Sequence, residues 1–88
     1  MAYYKIFWKP SAQKELKKLD KKMIAKIIAE VEKLSENPKP ASSKKLSGSD
    51  ITYRIRVNDY RVIYDILDRK IELLVIKIGH RKDIYRNL

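Results

Sequence analysis

YRIRVNDYRVIY, residues 53–64, holds two alternating runs on either side of Asn58-Asp59. Each run places an aromatic or β-branched residue at every second position, the period of a half-buried strand, and Asn-Asp suits a two-residue hairpin loop. Pairing outward from that loop sets Tyr53 opposite Tyr64, Ile55 opposite Val62 and Val57 opposite Tyr60, and opposite residues share a face. These residues make an apolar core face. On the other face Arg56 lies directly opposite Arg61, with Arg54 opposite Ile63. Charge on a strand's solvent side is commonly there to prevent aggregation, yet two arginines directly opposite one another repel. An anion between them resolves the repulsion, and guanidinium forks match the geometry of a phosphodiester.

Outward from the hairpin, YYKIFW (3–8) reads as a strand ending before Pro10. Ser11 is the expected cap of a short helix ending near Asp20, with Ala12, Leu16 and Leu19 on its apolar side. A second helix follows, in which Met23, Ile24, Ile27, Ile28, Val31 and Leu34 form one stripe and Pro38 is the stop. Residues 35–50 are rich in Ser and Pro, with one Gly, and read as a long loop of the kind that often serves binding, with Lys44 and Lys45 as expected RNA contacts. Strands are expected at 51–57, 60–67 and 70–78, with a second turn at Asp68-Arg69. Counted around that turn, Leu74 and Ile76 join Ile63 and Arg61 on the arginine face, whereas a three-residue loop would reverse them. The expected fold is α+β: an N-terminal strand, a two-helix hairpin and a three-stranded antiparallel meander. Its helices cover one face of the sheet, and the whole forms a single domain over residues 1–88.

The chain has 88 residues, and its Lys and Arg outnumber Asp and Glu by 21 to 11, so an anionic partner is expected. IELLVIKI (71–78) is far short of the roughly 20 residues that span a bilayer, and MAYYKIFWKP is broken by Lys5, Lys9 and Pro10 before a signal peptide could form. A cytosolic protein without a membrane partner is the expectation. Cysteine is absent and His80 is the one histidine, so no cofactor and no His/Cys metal site are anticipated.

YRIRV, YRVIY and GHRKDIY, in this order after a two-helix hairpin, resemble the RelE/ParE toxin superfamily, and more closely its RelE-type mRNA endonucleases. The resemblance covers essentially the whole chain. It implies a RelE-like, microbial ribonuclease-like fold, metal-independent cleavage of mRNA in the ribosomal A site with contacts to 16S ribosomal RNA, and neutralisation by a RelB-like antitoxin. Carried over by position, it places the family's basic strand residues on Arg54 and Arg56, where lysine is common. The family's following arginines fall on Arg61 and Arg81, and its near-terminal tyrosine on Tyr85.

In the chemistry so implied, the 2′-OH attacks phosphorus and the 5′-oxygen leaves, giving a 2′,3′-cyclic phosphate. Tyr85 is the candidate base, aided by neighbouring guanidinium charge. Arg61 would clamp the non-bridging oxygens, Arg54 and Arg56 would position the backbone, and Arg81 would stabilise charge. His80 is the readier proton donor, since imidazole titrates in the neutral range. Two rivals stand beside this reading: a ParE-type toxin acting on DNA gyrase, and an RNA-binding module without enzymatic activity.

Overall fold

The structure is a computed structural model that describes residues 3–80. The expectations for Arg81, Tyr85 and a closing helical turn lie outside the described residues. Strand β1 (Lys5–Trp8) leads into helices α1 (Pro10–Lys17) and α2 (Lys21–Lys33), followed by strands β2 (Lys44–Lys45), β3 (Thr52–Val57), β4 (Tyr60–Leu67) and β5 (Glu72–His80). The sheet order is β1-β5-β4-β3-β2, with β1 parallel to β5 and the remaining neighbours antiparallel. This is the expected α+β architecture. The parallel β1–β5 pair is what the strand pattern alone left open.

The core forms where Ala12 and Leu16 of α1 and Ile27 and Val31 of α2 meet the sheet face bearing Ile55, Val57, Val62, Tyr64, Ile66, Leu73, Val75 and Ile78. Pro10 occupies the start of α1, where its missing N–H is no loss. Ser11 therefore lies inside that helix rather than capping it, and no side chain caps it. Asp20 caps α2 instead, its carboxylate accepting from the Met23 N–H at 2.8 Å, an interaction worth about 1 kcal/mol. The chain leaves α2 at Lys33, well before Pro38, and Ser35 fastens it to β1: its Oγ donates to the Tyr4 carbonyl at 2.8 Å, while the Tyr4 N–H donates to the Ser35 carbonyl at 2.9 Å.

Three further expectations are corrected. Residues 35–50 are not wholly a loop, because Lys44 and Lys45 form β2 on the outer edge of β3. A two-residue strand is too short to show a period. The second turn spans 68–71 rather than two residues. In it Ile71 adopts φ 53°, a strained conformation for a β-branched side chain, while its carbonyl accepts the Lys5 N–H at 3.0 Å. Asp68 in the same turn accepts the Tyr4 hydroxyl at 2.6 Å, a bond that raises the Tyr4 pKa above the usual phenol value. Finally, β5 carries a bulge: Tyr64 pairs with Val75 but Ile63 with Lys77, so Ile76 is the extra residue. The longer turn already sets Leu74 opposite Asp65, still on the arginine face, and the bulge then brings Lys77 to the place beside Ile63 that Leu74 was expected to fill.

Tyr64 ties the loop to the core. It is fully buried, and its hydroxyl donates to the Pro38 carbonyl at 2.7 Å. Burial pushes its ionisation up to about 12, against an opposing pull from the Ser43 hydroxyl. An exposed phenol titrates near 10, so between pH 10 and about 12 the unfolded chain releases a proton that the folded chain keeps. Stability falls as pH rises through that window. Tyr64→Phe is expected to cost about 1 kcal/mol at neutral pH through the lost hydrogen bond. Urea unfolding should show that deficit shrinking above pH 10, because the variant has no phenol to ionise there. A deficit that stayed constant with pH would contradict this account.

Candidate nucleic-acid interface

The hairpin forms with the register its turn dictates. Asn58 takes φ 55°, a conformation Asn tolerates, and Thr52–Val57 pairs with Tyr60–Asp65. Lys26 of α2 holds the turn, its Nζ donating to Asn58 Oδ1 at 2.9 Å. Arg56 lies opposite Arg61, and Arg54 opposite Ile63.

Neighbouring strands extend these pairs into two rows on the face away from the helices. One row reads Lys44, Arg54, Ile63, Lys77, and the next reads Arg56, Arg61, Gly79. Five cations thus share one patch. Asp65, further along the same face among the described residues, accepts the Thr52 hydroxyl at 2.6 Å. Arg61 is half-buried, with Nε and Nη1 shielded from solvent. Arg56 is exposed and curls round the sheet edge, its Nε donating to the Asn58 carbonyl at 3.1 Å. Two unit charges about 6 Å apart repel by under about 1 kcal/mol in water and by about 3 kcal/mol near a protein surface. A bound phosphate turns that repulsion into attraction.

Not every expected residue joins the patch. Lys45 pairs with Tyr53 on the helix-bearing side, where its Nζ lies 4.0 Å from the Asp50 carboxylate. His80 pairs with Tyr60, and the two rings meet edge-on at 5.3 Å. That contact puts the imidazole on the face opposite Arg61. Among the described residues no group of three or more His, Cys, Asp or Glu is placed to hold a metal ion, and no helix is long and apolar enough to cross a membrane.

Residues 6–85 match the family described as the ParE toxin of the type II toxin-antitoxin system parDE. The chain belongs to this toxin family. A relative from Methanocaldococcus jannaschii, the toxin candidate RelE1, is 35% identical over 77 residues, covering 84% of this chain and 86% of its own length. Among solved structures, the archaeal RelE–RelB complex from Pyrococcus horikoshii OT3 superimposes with a TM-score of 0.82 at 26% identity, over 91% of this toxin and 97% of that chain. The isolated Escherichia coli RelE toxin follows at 0.79, also at 26% identity, over 92% of this toxin and 86% of that chain.

Lys77 is the member of the toxin's basic patch that sequence reasoning missed. A signal for it was present. Leu73 and Val75 point to the core, and strict alternation would bury Lys77 beside them; a lysine at a core position marks a break in the pleat once a bulge is allowed for.

Proposed function

We propose that this toxin is a ribosome-dependent, metal-independent endoribonuclease that cuts mRNA in the A site. The observation that carries the reading is the convergence of Arg54, Arg56 and Arg61, with Lys44 and Lys77, on the one sheet face the helices leave uncovered. Arg61 clamps the non-bridging oxygens of the scissile phosphate, while Arg54 and Arg56 hold the flanking backbone. Tyr85 takes the proton from the 2′-OH as that oxygen attacks phosphorus and the bond to the 5′-oxygen breaks. Arg81 stabilises the departing oxygen. His80 lies on the other face beside Tyr60, so we assign it to the end of β5; Tyr85 alone takes the 2′-OH proton, Arg81 stays protonated and only hydrogen-bonds the departing 5′-oxygen, and that oxygen takes its proton from solvent. Such a site depends on held geometry more than on a matched acid and base, which suits a substrate oriented by the ribosome. The assembly of the Pyrococcus horikoshii toxin with RelB supports a co-encoded antitoxin as the protein partner.

A second reading is favoured by the matching family's own description, which is that of ParE: a toxin acting on DNA gyrase. Purified protein added to translating ribosomes, with 5′-end mapping of the mRNA, separates the two. Cuts within A-site codons are expected. Intact mRNA together with inhibited supercoiling would replace the nuclease reading with the gyrase one.

A further inference from the structure

Strand β2 covers only Tyr53 and Arg54 of β3, so among the described residues the outer edge of Ile55–Val57 has no strand beside it. The chain between α2 and β2 arches over that edge and encloses a cavity of about 230 Å³. Its floor is apolar, made by Leu34 and Ile55, and Pro40 forms a wall. Asn37 and Ser42 supply an amide and a hydroxyl, and Arg56 stands at the side nearest the arginine face. Glu30 and Lys33 also border the space but pair with one another at 2.7 Å, which leaves Arg56 as its uncompensated charge.

We infer that this cavity is a nucleobase site, taking the base of the RNA nucleotide whose phosphate meets Arg56. A base is flat and apolar on its faces, polar at its edge and joined to an anion. The cavity offers these features in the same order: an apolar floor, an amide and hydroxyl at its side, and a guanidinium at its mouth. Its volume is below the roughly 300–1,000 Å³ of drug-sized ligand sites, which suits a single heterocycle. The walls are set in advance. Ser43 donates to the Pro40 carbonyl through its N–H at 2.9 Å and its Oγ at 2.8 Å, and Tyr64 holds the Pro38 carbonyl at 2.7 Å. Little ordering is left to oppose binding. Asn37 and Ser42 are thereby specificity residues, reading a base edge while the arginines hold phosphates without regard to sequence.

The inference rests on the RNA reading of the arginine face, so its test has two arms. The first is amide-resolved NMR of the full chain titrated with each of the four ribonucleoside 5′-monophosphates and with inorganic phosphate. Saturable shifts at Leu34, Asn37 and Ile55 are expected with at least one nucleotide and not with phosphate. Asn37→Ala and Ser42→Ala, both at exposed positions, should weaken that nucleotide at least about fivefold, the lower end of what one base contact contributes. The second arm compares ribosomal cut maps, in which both variants keep cutting but lose preference for a base at one fixed position from the cut. Nucleotide shifts confined to the arginine face, or cut maps unchanged in both variants, overturn the base site and leave the phosphate clamp standing. Nucleotide binding in the cavity by a protein that cuts no mRNA overturns the nuclease reading and leaves the base site standing.

Discussion

Arg61→Ala should reduce A-site cleavage by about 10²–10³-fold, the usual effect of removing one preorganised donor aimed at developing charge. The expectation rests on where Arg61 sits. It is central in its row, between Arg56 and Gly79, and its Nε and Nη1 are shielded from solvent, whereas Arg56 and Lys44 are exposed. A recessed cation acts in a lower dielectric and is screened less than an exposed one. Arg54→Ala and Arg56→Ala should therefore cost less, and their effect should fade as salt is raised, as phosphate contacts at a surface do. Single-turnover cleavage on programmed ribosomes at two ionic strengths would measure all three. Folding of Arg61→Ala, checked by its unfolding midpoint, separates lost chemistry from lost structure. A folded Arg61→Ala variant that cut as fast as the parent would remove the phosphate clamp from the mechanism.

The hairpin shows how much of this was legible in the sequence. Asn58-Asp59 fixed a register, the register fixed two faces, and Arg54, Arg56 and Arg61 fell on one of them as the alternating pattern requires. That argument holds because side-chain direction repeats every two residues and a two-residue loop admits few alternatives. It fails where geometry is set from elsewhere in the molecule. The 68–71 turn is shaped by β1, through the Tyr4–Asp68 and Lys5–Ile71 hydrogen bonds, and no local pattern announces a strand from the other end of the chain. The bulge at Ile76 falls just past the end of β1, where α1 takes over the edge of β5 and Glu15 accepts the Ile78 N–H at 3.2 Å. Lys44 joined the patch and Lys45 did not because β2 is a true strand, and alternation sends the two side chains to opposite faces.

Ile63→Ala should cost about 2–5 kcal/mol, as much as truncating a residue beneath the helices. A sheet layered with helices on one side alone predicts far less, since a residue on its bare face starts out exposed and loses little. Ile63 is on that face, opposite Arg54 and Lys77, yet it is 0% exposed and stands apart from the core cluster under the helices. Its cross-strand neighbours are long cations, whose aliphatic stems can lie over an apolar side chain while their charges stay in water. Ile63 thereby gives the basic patch a dry floor. Truncating it would open a cavity under Arg54 and Lys77 and loosen their placement, so phosphate affinity should fall along with stability. Urea unfolding gives the first quantity, and titration with a short RNA under conditions where the variant stays folded gives the second. A loss of stability below about 0.5 kcal/mol, the range of ordinary surface substitutions, would mean that the face is bare and its cations are held by their backbone positions alone.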